Sequence, residues 1–306
     1  MLTQKILIYL AISLSVRSSR MKRIPAIVLT YDANHLYTSH MVRLYGRLWP
    51  DHPFEFLVPY QSQKARMGLM EVSPSVQARS APPSIRQTVL SLLEGYQDDQ
   101  WIYWCIDDKY PVWLDVSYLR SLSATILASP LRGVDGICFC RARKLLSGKA
   151  LMADRFGLRK VQFSPSLGLL FRRSDYSQIW LHQFLRVGVL RHLFTSFPEV
   201  ISGAKQLDEL KRSVDLPGAH RIYVTYSNHA RFGESTSRGR VTVNCLRSME
   251  SEGLLLPSSD VSACQEMFIG SDGARPIGCA LRDIASVVFF LFRYPWARLQ
   301  RFWSPR

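Results

Sequence analysis

The first apolar run of the chain, "IPAIVLTYD" (residues 24–32), is unbroken through Leu29 and ends in polar residues. A short run without alternation marks a strand covered on both faces, as strands of parallel sheets are. The next segment, "NHLYTSHMVRLYGRLWP", repeats apolar residues at helical spacing through Leu36, Met41, Leu44, Tyr45 and Leu48, with Pro50 as a stop. A strand is therefore followed by a helix. "FEFLVPY" (54–60) then predicts a second strand, and "PPSIRQTVLSLLEGY" (82–96) a helix that begins near Ser84 with Ile85, Val89, Leu92 and Leu93 on its inner face. "QWIYWCIDD" predicts the third strand. The order β-α-β-α-β implies an α/β fold whose mainly parallel sheet carries helical crossovers and gathers its ligands at the carboxyl ends of the strands.

The pattern continues with an amphipathic helix over 115–129, a strand in "VDGICFCRA", and a strand around Leu167 to Arg172 followed by a helix from about Ser174. "GAKQLDELKRSV" predicts a polar helix, "HRIYVTYS" and "GRVTVNC" predict strands, and 253–278 looks irregular. No internal repeat or linker divides the chain. The economical division is a single catalytic-type domain over 21–255, an irregular segment 256–280 and a distinct tail 281–306. Residues 1–20 form either an upstream extension before Met21 or a weak signal-like segment. Its apolar run, Ile6 to Val16, is shorter than the roughly 20 residues of a membrane-spanning helix, and its basic residues lie mostly after that run.

Composition adds charge to this picture. Thirty-nine Lys and Arg against 24 Asp and Glu give a net charge of +15, which favours phosphate-bearing ligands, anionic lipid or nucleic acid. Dispersed arginines and the lack of any helix-turn-helix, RNA-recognition or zinc pattern argue against nucleic acid. No GxxxxGK[ST] occurs, which argues against a P-loop kinase. The six cysteines form no CxxC pair, and three lie in strand-like runs where a reduced thiol packs as a small hydrophobe, as expected for a cytoplasmic protein. The tail, "LRDIASVVFFLFRYPWARLQRFWSPR", mixes arginines with aromatic residues. That pattern suits either an interfacial segment on an anionic membrane or a terminal helix docked on the domain.

Two adjacent carboxylates, Asp107 and Asp108, close "WIYWCIDD". Like charges held together repel, and a divalent cation offsets that cost readily. Mg²⁺ or Mn²⁺ takes oxygen ligands from one or two carboxylates and completes its shell with diphosphate and water. In a basic protein the logical ligand is then a nucleoside diphosphate carrying another group, whose departure from the diphosphate the metal would assist. The same pair also suits a plain turn before Pro111, one side chain capping the next helix.

The strand-helix-strand start with "VLTYD", followed by an apolar strand ending in an acidic pair, resembles the GT-A type glycosyltransferases over about residues 24–245. The closest likeness is to bacterial members with a DDY-type variant of the DxD motif. Lys109 stands where DxD has its second Asp, and Ile106 where an xDD variant has an acid. The resemblance implies a GT-A-like, Rossmann-type sandwich with a mainly parallel central sheet flanked by helices. It implies an enzyme that moves a sugar from a nucleotide-diphosphate sugar to a carbohydrate or lipid-linked acceptor, in surface polysaccharide or glycolipid synthesis at the inner face of the cell membrane.

Carried over by position, Thr30, Tyr31 and Asp32 would meet base and ribose, Asp107 and Asp108 would hold Mn²⁺ or Mg²⁺, and Lys109 would contact phosphate. Asp32 would equally serve as a helix N-cap. Arg86, just inside a helix start, would reach a phosphate or remain solvated. An inverting reaction needs a base near the acceptor hydroxyl, for which Asp208 stands first and Glu209 second, unless both are ordinary charges on an exposed helix. The polar stretch 226–245 reads as a loop over the diphosphate. There His229 would contact metal or phosphate, and Arg231, Arg238 and Arg240 phosphate. His35 and His40 read as helix-surface residues. Two alternatives remain: a non-catalytic basic protein that binds membrane or nucleic acid with a structural Asp pair, and a nucleotidyltransferase on a similar sheet.

Overall fold

The computed structural model describes residues 23–254, apart from 129–130, 141–157, 165–166, 174, 177, 202–203, 226 and 238–239. Segments 1–20, 256–280 and 281–306 lie outside the described residues, as does Arg238.

The chain opens with β1 (Ile24–Leu29), a 3-10 turn (Asp32–Asn34), α1 (His35–Leu48), β2 (Phe54–Tyr60), α2 (Gln63–Met70), β3 (Val76–Ser80), α3 (Ile85–Leu92) and β4 (Trp101–Ile106). It continues with β5 (Lys109–Leu114), α4 (Val116–Ala128), β6 (Gly136–Cys138), β7 (Leu158–Ser164), β8 (Gly168–Arg173), β9 (Gln183–Arg186), α5 (Val187–Thr195) and α6 (Ala204–Ser213). Strands β10 (Ile222–Thr225), β11 (Ala230–Glu234), β12 (Thr236–Ser237) and β13 (Arg240–Val241), then α7 (Val243–Ser251), complete it.

Nine strands form one sheet in the order β3-β2-β1-β4-β9-β6-β10-β8-β7. Only β9 and β8 run against the rest, so seven of the nine strands point the same way. Side chains alternate across the sheet. Ala26, Val28, Phe54, Phe56, Tyr103 and Cys105 enter one core with α1, α4 and α7, whereas Ile27, Leu57, Ile102, Trp104 and Ile106 enter the other with α3, α5 and α6. The expected helix-sheet-helix sandwich is thus present.

The first core is dense in rings. Phe54 stacks on Tyr103 with centroids 4.1 Å apart, and Tyr45 meets both edge-on. The four described cysteines, Cys105, Cys138, Cys140 and Cys245, are free and buried, as small hydrophobes would be.

Several segments differ from their sequence patterns. The helix expected from about Ser174 is absent; Gln183–Arg186 is instead the antiparallel strand β9, inserted between β4 and β6, and α5 starts only at Val187. A short apolar run fits helix and buried strand equally until its neighbours are known. The strand expected in "GRVTVNC" stops at Val241, because Thr242 caps α7 by accepting the Cys245 N–H at 3.2 Å. His40 is fully buried rather than a surface residue.

The chain leaves β1 toward β2 on one side and returns as β4 on the other. Strand order therefore reverses between β1 and β4, which opens a crevice at their carboxyl ends.

Candidate functional site at the β1–β4 crevice

Register fixes what lines this crevice. Leu29 pairs with Ile106, so Thr30 and Asp107 leave the sheet side by side, and the Asp107 N–H donates to the Leu29 carbonyl at 3.2 Å. Asp107 is buried, and its Oδ2 accepts a 2.8 Å hydrogen bond from Asn34 Nδ2 at the start of α1. Burial, and secondly the Asp108 charge, push its carboxyl up to about 7, against the opposing help of Asn34, Thr30 and Lys109. Thr30 is turned inward and shares a 2.8 Å hydrogen bond with Thr38. Tyr31 is 56% exposed, leaving a bare aromatic ring at the crevice mouth. Partial burial and then the Asp107 charge raise its phenol.

Asp108 begins a tight connection into β5. Its Oδ2 lies 2.5 Å from Lys109 Nζ, and the Ser235 N–H donates to its carbonyl at 2.8 Å. Lys109 is only 3% exposed and also lies 3.6 Å from Glu234, its cross-strand partner on β11. The Asp pair is therefore no simple turn before Pro111: Pro111 lies within β5, on a two-stranded ribbon where a missing N–H is tolerated.

The corner assembles three carboxylates, those of Asp107, Asp108 and Glu234, around one ammonium, and Asp108 Oδ1 is buried with no hydrogen-bond partner. An orphaned carboxylate oxygen in a net-negative corner fits part of the shell of a hard divalent cation. Among the described residues no three His, Cys, Asp or Glu side chains converge into a metal cage, so the remaining ligands would have to be substrate oxygens and water.

The other candidates fall elsewhere. Asp32 does not cap a helix; its Oδ1 accepts the Gln61 N–H at 2.8 Å and its own N–H donates to Gln61 Oε1, which ties the exits of β1 and β2 together. Arg86 donates from Nε to the Phe194 carbonyl at 3.1 Å and lies 3.7 Å from Glu199. It clamps α3 to the end of α5 instead of facing the crevice. His229 is remote from the acidic pair, for the β5–β11 ladder sets Glu234 opposite Lys109 but Ala230 opposite Leu114. Five residue steps separate those ends, about 17 Å. There His229 Nδ1 meets Asp115 Oδ2 at 2.9 Å and its ring stacks on Tyr118 at 3.5 Å. Arg231 lies over the Trp113 ring. The stretch expected as a loop over diphosphate is thus largely the strand β11.

Asp208 accepts hydrogen bonds from Trp180 Nε1 at 2.8 Å and is paired with Lys211 at 2.6 Å. Lys211, Trp180 and Arg212 hold its carboxyl below the usual range, although partial burial, the largest single influence, opposes them. A carboxylate held this way is a weakened base. Glu209 is exposed on the same helix. Trp180 lies just before β9, whose first residue pairs with Trp104, so Asp208 stands on the carboxyl-end side of the sheet without touching the pair.

Asn34, Glu234, Ser235 and His182 line or brace this corner and escaped the sequence patterns. Asn34 was detectable as an amide just past the first strand; the others are brought in from far along the chain. Among the described residues no helix is long and apolar enough to cross a membrane.

No protein-family model matches the sequence, and no curated protein matches it significantly. Among solved structures, it is similar to 4-diphosphocytidyl-2C-methyl-D-erythritol synthase from Anaerococcus prevotii, with 7% identity over 76% of this chain and 99% of that one and a TM-score of 0.39. It is also similar to the galactosyltransferase LgtC in complex with donor and acceptor sugar analogs, with 13% identity over 86% and 95% of the two chains and a TM-score of 0.36. A cytidylyltransferase from Leptospira borgpetersenii shows 10% identity over 76% and 96%, with a TM-score of 0.36. Likeness this slight adds nothing to the chemistry, which rests on the geometry of the crevice.

Proposed function

We propose that the protein is a transferase acting on a nucleotide-activated sugar, and specifically a glycosyltransferase that moves the sugar to a carbohydrate or lipid-linked acceptor. The observation that supports this best is the acidic pair at the strand-order reversal, with Asp108 Oδ1 buried and unpartnered. A nucleoside diphosphate sugar is a ligand whose phosphates come with a divalent cation, and a cation is what this corner lacks for neutrality.

In this reading Asp107 and Asp108 hold Mn²⁺ or Mg²⁺, which when bound supplies Lewis-acid stabilisation to the leaving diphosphate. Asn34 and Thr30 fix the Asp107 carboxylate, and Lys109 sets the rotamer of Asp108 while holding β5 to β11. Tyr31 offers its exposed ring to the base.

The test is calorimetric titration of UDP and GDP with and without Mn²⁺, on wild type and Asp108→Ala, followed by product analysis with nucleotide sugars. Metal-dependent binding that weakens tenfold or more in the variant is expected, with release of the nucleoside diphosphate on turnover. Absence of binding to either nucleotide would overturn the proposal. Release of pyrophosphate from a nucleoside triphosphate would replace it with nucleotidyl transfer at the same corner.

A further inference from the structure

Strand β4 outruns its neighbour. Its pairing with β9 ends at Trp104 opposite Gln183, yet β4 continues to Ile106 before delivering the acidic pair. On the β1 side the backbone stays paired as far as Asp107. On the β9 side the Ile106 carbonyl meets a side chain instead: His182 Nε2 lies 2.9 Å away.

The direction of every bond in this contact can be deduced. A carbonyl only accepts, so Nε2 carries the proton and Nδ1 presents its lone pair. Tyr45 OH lies 2.7 Å from Nδ1 and must donate to it, which leaves the Tyr45 oxygen to accept from Tyr103 OH at 2.6 Å. The result is a one-way chain from Tyr103 in mid-β4, through Tyr45 on α1 and the ring of His182, back to the last carbonyl of β4. All three side chains are fully buried. The ring is further fixed by stacking against Tyr45 and by Phe232 of β11 at 4.5 Å. A neutral imidazole is required throughout, in keeping with burial that lowers its pKa to about 4.

We propose that His182 is a positioning residue: it supplies the ladder bond that β9 cannot, and so fixes the peptide that carries Asp107 and Asp108. The bearing on nucleotide binding rests on the function proposed above; the bracing of the strand end does not.

Two variants separate the bond from the volume. His182→Gln keeps an N–H for the Ile106 carbonyl and an oxygen for Tyr45. His182→Phe fills the space beside Phe232 and donates nothing. The first readout, hydrogen exchange at Asp107 to Lys109 by NMR, needs no ligand. We expect exchange at least tenfold faster in His182→Phe, rates within threefold of wild type in His182→Gln, and no change at Ile102 to Trp104. The second readout, calorimetry with UDP and Mn²⁺, should show at least tenfold weaker binding in the Phe variant and recovery in the Gln variant.

Wild-type exchange rates in His182→Phe would overturn the proposal, as would equal acceleration in both variants or acceleration spread along all of β4. Should the Phe variant not fold, Tyr45→Phe, which removes the donor to Nδ1, must accelerate the same three amides, and unchanged rates there overturn it equally. A wild type that binds no nucleotide would end the functional reading while leaving the exchange test intact.

Discussion

Two opposed titrations meet in this fold, and replacing Asp107 by Asn separates them. His40 and His182 are both fully buried, and both are lowered from 6.5 to about 4, desolvation being the main cause. Between those values the unfolded chain binds protons that the folded imidazoles refuse, so stability is lost as pH falls through that window. From pH 7 to pH 5 the loss is about 1.8 kcal/mol for each ring, or about 3.6 kcal/mol for both. Asp107 works the other way. With its folded pKa raised from 3.8 to about 7, it holds a proton that the unfolded chain has released, and stability is gained as pH falls. Over the same interval that gain is about 2.3 kcal/mol, so wild type should lose only about 1.3 kcal/mol through these three groups. Asp107→Asn deletes the gain and keeps the loss. Urea unfolding followed by tryptophan fluorescence at pH 7 and pH 5 measures both proteins, and other titrations, including that of His52, cancel in the difference. The variant should lose about 2 kcal/mol more than wild type, a midpoint difference of about 0.8 M for an m-value of about 3 kcal/mol/M. Parallel pH curves for the two proteins would refute the placement of Asp107 as a buried carboxyl beside a second charge.

Two further outcomes follow from the packing. Phe54→Ala removes a 1%-exposed ring stacked on Tyr103 and should cost about 3–5 kcal/mol in urea unfolding. Arg86→Ala breaks the tie between α3 and the end of α5 and should lower stability by about 1 kcal/mol while leaving UDP affinity within twofold of wild type.

The parts of the fold visible in the sequence were those that long, continuous patterns define. β1, α1, β2 and β4 are each an unbroken apolar run or a clear helical period, and together they place the crevice and the acidic pair at its edge. What escaped was set by distant partners. β9 is four residues long and becomes a strand because β4 and β6 receive it on both sides. β5 contains a proline and a buried lysine, both poor strand signals, and is a strand because β11 pairs with it. Lys109 looked like a phosphate contact because sequence shows its charge but not Asp108 and Glu234 beside it. His229 looked free for the same reason, with Asp115 more than a hundred positions away.

The β5–β11 ribbon also bears on the order in which the protein acquires its shape. Lys109 and Glu234 are joined across a span of chain that holds α4, β6 to β10, α5 and α6. A contact between residues so far apart in sequence is reached only after a large loop has closed, at an entropic cost that local contacts do not bear. The β1-α1-β2 unit, whose contacts are local, has no such requirement. The corner around Asp108 is thus a late product of folding: a chain arrested before residue 234 would possess both aspartates and the crevice floor, but not the carboxylate that completes the clamp on Lys109.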